Sequence, residues 1–131
     1  MIKVLVVDDS TGWLSFHKNA LEEIYGQEID VDCSISARNG YDMVYNNMAE
    51  PYDLIISDLQ MESDFAPQLA GEWFVEQVKL LSAYRKTAII IMSGSINIDM
   101  VANSLNVAYL RKSTAARDLN SYKLALDEIL K

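Results

Sequence analysis

The chain has 131 residues, half of them apolar, and its 11 basic and 19 acidic side chains give a net charge of −8. This length suits one domain and is long enough to bury a core, so we expect a single domain over residues 1–131. The acidic balance argues against direct binding of nucleic acid or of an anionic membrane, since both require clustered Lys and Arg. With one cysteine and one histidine, an internal disulfide and a Cys/His zinc site are excluded.

The N-terminal segment predicts neither a signal peptide nor a membrane span. Its apolar run stops at Asp8 and Asp9, whereas a span needs about 20 apolar residues. A signal peptide also needs a longer apolar stretch and small residues at a cleavage site. We therefore expect a soluble, cytoplasmic domain.

Five short apolar runs predict β-strands, over residues 2–7, 29–35, 54–57, 88–92 and 107–110. Four of them are continuous or nearly so, which is typical of strands that are buried on both faces. The second run instead alternates apolar and polar residues, and this pattern predicts an edge strand with one wet face. In that strand Cys33 belongs to the apolar set, so we expect it to point inward as a small core residue.

Between the runs the apolar residues recur with the helical period of 3.6. The alternation of strand and helix, five times over, predicts a doubly wound α/β domain with a mostly parallel sheet and helices on both faces. His17 lies within the apolar arc of the first helix, so a partly buried structural role is favoured over phosphohistidine chemistry. Asn106 is predicted to end the fourth helix in the left-handed conformation, and Ser95 to be the N-cap of that helix.

Polar side chains follow four of the predicted strands: Asp8 and Asp9, Asp58, Ser93, and Lys112. In open parallel sheets, ligands bind beyond the carboxyl ends of the strands. Three carboxylates at this edge would repel one another unless a cation neutralised them, and such oxygen ligands suit Mg²⁺. A carboxylate beside Mg²⁺ can be the nucleophile toward a phosphoryl group, whose oxygens a lysine and a hydroxyl can stabilise. The sequence therefore predicts capture of a phosphoryl group.

Four segments resemble the receiver domains of bacterial two-component response regulators, and the resemblance covers essentially the whole chain. Residues 4–10 (Val-Leu-Val-Val-Asp-Asp-Ser) resemble the first strand with its acidic pair, and residues 53–61 (Asp-Leu-Ile-Ile-Ser-Asp-Leu-Gln-Met) resemble the phosphoacceptor segment. Residues 90–94 (Ile-Ile-Met-Ser-Gly) resemble the hydroxyl motif of the fourth strand. Residues 108–112 (Ala-Tyr-Leu-Arg-Lys) resemble the switch aromatic and the lysine three residues later. The resemblance implies the flavodoxin-like strand order 2-1-3-4-5.

The resemblance also implies roles for the acidic residues. Asp58 would be the phosphoacceptor and Asp9 a direct Mg²⁺ ligand, with Asp8 binding partly through water. The backbone carbonyl of Gln60 would complete the protein ligands of the metal.

Three further residues are implied to respond to the phosphoryl group, and two of them, Ser93 and Tyr109, would form a switch. Ser93 would hydrogen-bond the phosphoryl group and Lys112 would pair with it. Tyr109 would move inward and repack the face made by the fourth helix, the fifth strand and the fifth predicted helix, which begins near Leu119. The implied partners are a sensor histidine kinase or a phosphotransfer protein, and a downstream protein, an attached output domain or a second copy bound through that face.

Two features depart from the family pattern. The stretch from Met61 to Ala70, with Glu62 and Asp64, is longer and more acidic than usual; shielding of the site, kinase selection and plain loop variation all stay open. Ser113 stands where a proline commonly follows the lysine. A cis bond before a non-proline residue costs roughly 2.5 to 4 kcal/mol, so we predict a trans peptide between Lys112 and Ser113.

Other functions fit the residues less well. A degenerate receiver that acts as a docking scaffold would not need every acidic, hydroxyl and lysine position. A Mg²⁺-dependent phosphohydrolase of the haloacid dehalogenase type also forms an aspartyl phosphate, but its acid follows its nucleophile by two residues, whereas Asp8 and Asp9 are adjacent. Flavin or dinucleotide binding is disfavoured because the chain has no glycine-rich phosphate loop.

Overall fold

A computed structural model of the chain describes residues 1–61 and 69–131. Within them lies a five-stranded parallel sheet in the order β2-β1-β3-β4-β5. The strands are β1 (Ile2–Val7), β2 (Ile29–Ser34), β3 (Leu54–Ser57), β4 (Ala88–Ser93) and β5 (Ala108–Arg111). The predicted fold class and strand order are confirmed, and the second run forms an edge strand as expected.

The helices of the described residues are α1 (Thr11–Tyr25), α2 (Ala37–Asn46), α3 (Ala70–Lys79), α4 (Ile98–Leu105), α5 (Lys112–Arg117) and α6 (Leu119–Ile129). Short 3-10 turns lie at Gly26–Glu28 and Ser82–Tyr84. None of the helices in this part of the chain is long and apolar enough to span a membrane.

The core has two halves, one on each face of the sheet. Leu5, Ile55 and Ile91 pack with buried residues of α2, α3 and α4. Alternate strand residues such as Val4 and Ile56 pack with buried residues of α1, α5 and α6. The central strands are thus covered on both sides, which explains their continuous apolar sequences. This packing fixes the carboxyl edge of the sheet, where the predicted site residues lie.

Three predicted local features are confirmed. Asn106 follows α4 in the left-handed region, at φ 57° and ψ 50°. His17 is buried, with Nδ1 2.8 Å from the hydroxyl of Tyr122 on α6. No peptide bond of the described residues is cis, so the bond between Lys112 and Ser113 is trans.

Two predictions are wrong. Cys33 is exposed rather than a core residue; it pairs with Val6 near the end of the edge strand, which has a neighbouring strand on one side only. The N-cap of α4 is Asn97 rather than Ser95, because the hydroxyl of Ser95 bonds that of Ser93 instead.

The structure contains one helix that the sequence pattern did not predict. Helix α5 is absent from the predicted elements. Its six residues bury only Ala115, so it has no apolar stripe that a sequence pattern could reveal. The remainder of the acidic stretch with Glu62 and Asp64 lies outside the described residues.

Candidate functional site

Three carboxylates converge at the carboxyl edge of the sheet. Asp8 and Asp9 follow β1, and Asp58 follows β3, which pairs directly with β1. One carboxylate oxygen from each residue can be chosen so that all three lie within 4.8 Å of one another. Asp8 is 1% exposed and Asp58 is 7% exposed, so most of this negative charge is withdrawn from water.

The loop after β3 holds Asp58 in a fixed position. Its amide donates to the carbonyl of Val7 at 2.9 Å, and its Oδ1 accepts the amide of Leu59 at 2.7 Å. The start of α3 packs against the same loop, because the amide of Gly71 donates to the carbonyl of Leu59 at 2.9 Å. A Cβ at Gly71 would lie 2.5 Å from Leu59 Cα and closer still to the carbonyl of Asp58. Only glycine allows this approach.

Lys112 supplies the positive charge of the site. It lies at the junction of β5 and α5, and its Nζ is 2.9 Å from Asp8 Oδ2 and 2.9 Å from Asp58 Oδ2. The contact with Asp58 is a hydrogen bond, whereas Asp8 Oδ2 receives no hydrogen bond in the described part of the chain. A buried carboxylate oxygen that has only an ion pair is a suitable ligand atom for a metal.

Burial sets the electrostatics of this group. Desolvation raises the pKa of Asp8, and the contact with Lys112 opposes this effect only in part. Burial alone would lower the pKa of Lys112, but its interactions with Asp8 and Asp58 together outweigh desolvation and raise it. The lysine is therefore charged at neutral pH, and its charge is held between two carboxylates.

The donor set fits a divalent cation. With the three carboxylates ionised and Lys112 protonated, the formal charge is −3 + 1 = −2. Oxygen ligands on one or two carboxylates with water are the shell that Mg²⁺ prefers. Gln60 lies two residues beyond Asp58 and is exposed. Metal binding by its backbone carbonyl stays a prediction.

Ser93 ends β4 at the same edge of the sheet, next to β3 and β5. Its side chain is buried, and its Oγ accepts the amide of Ser95 at 3.2 Å and donates to the Ser95 hydroxyl at 3.1 Å. A hydroxyl held by a neighbouring hydroxyl can exchange that partner for a better acceptor.

Tyr109 lies on β5, where it is 40% exposed. Just before α4 Ile96 is 91% exposed, on α4 Met100 is 71% exposed, and on α6 Leu124 is 58% exposed. Arg111 of β5 forms an ion pair with Asp99 of α4 at 3.8 Å. The surface of α4, β5 and α6, named below the α4–β5–α6 face, thus exposes apolar side chains.

The motifs of the sequence do not assign Trp13 to the site, but the structure places it there. The Nζ of Lys112 lies over the Trp13 ring, 4.9 Å from its centroid. Trp13 belongs to the apolar stripe of α1, but it also stands in the first turn after Asp8 and Asp9. Its closeness to the acidic pair along the chain was the available signal.

Solved structures share this architecture over nearly the whole chain. A response regulator receiver domain protein from Clostridium thermocellum is 24% identical with a TM-score of 0.78, and covers 99% of this chain and 94% of its own. Chemotaxis protein CheY4 of Vibrio cholerae is 23% identical with a TM-score of 0.76, and covers 98% of both chains. A putative response regulator from Chloroflexus aurantiacus is 19% identical with a TM-score of 0.77, and covers 98% and 97%.

The chain has the receiver-domain fold. Its structural neighbours include CheY-like response regulator receiver domains, and identities below 25% make this a likeness of fold. Neither a protein-family model nor a curated protein matches the sequence. The strand order and the structural neighbours therefore support the assignment of the receiver fold. The roles of individual residues follow from the geometry of the site.

Proposed function

We propose that residues 1–131 form one receiver domain of a cytoplasmic two-component phosphorelay, and that Asp58 accepts the phosphoryl group. The proposal rests on one observation: Asp58 shares a cluster of carboxylates within 4.8 Å with Asp8 and Asp9 and contacts Lys112 at 2.9 Å. Nucleophile, metal ligands and cation are the groups that phosphoryl transfer to a carboxylate needs. The receiver fold supports the same conclusion.

The donor is the phosphohistidine of a sensor histidine kinase or of a phosphotransfer protein. A carboxylate oxygen of Asp58 attacks phosphorus and the phosphorus–nitrogen bond breaks. The electron pair of that bond returns to the imidazole, and Asp58 becomes an acyl phosphate. Lys112 pairs with one phosphoryl oxygen and the hydroxyl of Ser93 donates to another. Asp8, Asp9, Asp58 and the carbonyl of Gln60 would hold Mg²⁺, which would supply the positive charge that lets the anionic donor approach the carboxylates.

The phosphoryl group then changes the α4–β5–α6 face. The Ser93 hydroxyl gives up its hydrogen bond to Ser95 and turns toward the phosphoryl oxygen. The side chain of Tyr109 then moves inward into the space that the Ser93 hydroxyl has left. The exposed apolar side chains on this face support binding of a downstream protein, an attached output domain or a second copy. The domain is thus a regulator that promotes its own phosphorylation and dephosphorylation rather than an enzyme with a separate substrate.

Intact mass tests the acceptor directly. After incubation with Mg²⁺ and acetyl phosphate, we expect the wild type to gain the mass of one phosphoryl group and Asp58→Asn to gain none. Asp53→Asn is the matched control. Asp53 precedes the first residue of β3, at the opposite end of the strand from Asp58, and its carboxylate accepts a hydrogen bond from the amide of Lys3. It should be phosphorylated like the wild type. EDTA should abolish the gain.

The same experiment separates the alternatives. No mass gain in a wild type that binds Mg²⁺ would overturn the proposal and favour a docking scaffold. Release of many equivalents of inorganic phosphate from a phosphate ester would instead indicate a phosphohydrolase. A gain that survives Asp58→Asn would place the acceptor at another residue.

A further inference from the structure

The ring of Trp13 contacts the cation of the site. Lys112 Nζ lies 4.9 Å from the ring centroid, within the range of a cation–π contact. The same ring packs edge-on against Phe16 at 5.0 Å and tilted against His17 at 5.7 Å. Neighbouring aromatic rings therefore restrain the one that meets the ammonium group.

Asp8 helps to set the position of Trp13. Asp8 Oδ1 accepts the amide of Ser10 at 2.9 Å. The Oγ of Ser10, the N-cap of α1, accepts the amide of Trp13 at 3.2 Å. Two successive hydrogen bonds thus connect the carboxylate that pairs with Lys112 to the residue whose ring contacts Lys112.

We propose that Trp13 is a positioning residue that holds the ammonium group of Lys112 against Asp8 and Asp58. A lysine side chain is flexible and its ammonium group is strongly hydrated, so a third contact in addition to the two carboxylates restricts its movement further. Among aromatic side chains, tryptophan attracts a cation most strongly. The Lys112 side chain is only 14% exposed, so the ring takes a place that water would otherwise fill. The effect on phosphoryl transfer rests on the proposed function, whereas the contact itself does not.

A spectroscopic measurement tests the contact without phosphorylation. Protons above an aromatic ring resonate upfield, so the ε-methylene of Lys112 should be shifted upfield of the other lysines in a proton–carbon spectrum. The Lys112→Met variant, which removes this signal, assigns it. Trp13→Leu should return it to the position of the other lysines, and Trp13→Phe should keep part of the shift. An unshifted Lys112 signal in the wild type would overturn the proposal.

Kinetics test the consequence. We expect Trp13→Leu to slow phosphorylation by acetyl phosphate roughly five-fold to thirty-fold, the ratio that corresponds to a cation–π contribution of about 1 to 2 kcal/mol. Trp13→Phe should slow phosphorylation less than Trp13→Leu does, because phenylalanine keeps an aromatic ring. Trp73→Leu is the matched control and should keep the wild-type rate, because Trp73 packs against Tyr41 on the other face of the sheet.

A double-variant comparison isolates the interaction. If Trp13 acts through Lys112, Trp13→Leu should not slow the residual reaction of the Lys112→Met variant further. An equal slowing in both backgrounds would refute the positioning role. A wild type that is not phosphorylated would contradict the proposed function, and the spectrum of Lys112 would still decide the contact. Should Trp13→Leu fail to fold, Trp13→Phe provides both readouts in a variant that keeps the ring.

Discussion

The single histidine of the chain makes folding stability depend on pH in a defined window. His17 is 1% exposed, and its Nδ1 lies 2.8 Å from the hydroxyl of Tyr122. Burial, and to a smaller extent the charge of Lys112, lowers the pKa of His17 from 6.5 to about 3. The folded protein therefore keeps this imidazole neutral at pH values at which the unfolded chain protonates it.

The sign and size of the effect follow from proton linkage. Between the two pKa values the unfolded chain binds about one more proton at this residue, so the free energy of unfolding falls as pH falls. The loss is about 1.4 kcal/mol per pH unit below 6.5, and it ends near pH 3, where the folded form also binds the proton. Lowering the pH from about 7.5 to about 5 should thus cost about 2 kcal/mol through His17 alone.

The assay compares urea unfolding of the wild type with that of the double variant His17→Phe/Tyr122→Phe at both pH values. Removing both partners of a buried hydrogen bond leaves no polar group unpaired, so the two proteins should have similar stability at the higher pH. At the lower pH the variant should be more stable by about 2 kcal/mol, because carboxylate titration is common to both.

Two results would refute the reasoning. One is a stability difference between the two proteins that is the same at both pH values. The other comes from the proton spectrum, in which the only histidine gives one Hε1 signal. If that signal titrated near pH 6.5 in the folded protein, His17 would be accessible to protons.

Two further substitutions test the local geometry. Gly71→Ala brings a methyl group against the backbone at Asp58 and Leu59. We expect it to lower the free energy of unfolding in urea by about 1–3 kcal/mol and to weaken Mg²⁺ binding in calorimetry. Wild-type values of both would show that the loop adjusts freely. Asn106→Val puts a β-branched residue at φ 57° and should cost about 1–2 kcal/mol, whereas Asn106→Gly should stay within about 0.5 kcal/mol of the wild type. Equal stabilities of the two Asn106 variants would contradict the role of the left-handed conformation.

Most of the fold could be predicted because its strands are short and strongly patterned. The strands β1 and β3 begin and end where the apolar runs do, since both are covered on two faces. The prediction for Cys33 was wrong for a related reason: alternation tells which face a residue is on, but not whether a helix extends far enough to cover it. Helix α5 was missed because it buries only Ala115.

The site was predictable in outline because the topology of a parallel sheet brings strand ends together. That argument identifies Asp8, Asp9 and Asp58 without any knowledge of distances. The contact of Trp13 with Lys112 is different, since it joins the first turn of α1 to the end of β5. The bond between His17 and Tyr122 spans 105 positions of the chain. No local pattern records such pairs, so only the packed structure reveals them.

The histidine and the site are connected through one charge. Lys112 lies between Asp8 and Asp58 and over Trp13, and its charge also disfavours protonation of His17 behind that ring. A protonated His17 would add a second positive charge within the electrostatic range of Lys112 and oppose the binding of a divalent ion at the site. Since burial keeps the imidazole neutral down to about pH 3, the charge balance of the site does not change in the range in which exposed histidines titrate. Binding of Mg²⁺ should therefore lack a transition near pH 6.5, and any loss at lower pH should come from the carboxylates themselves.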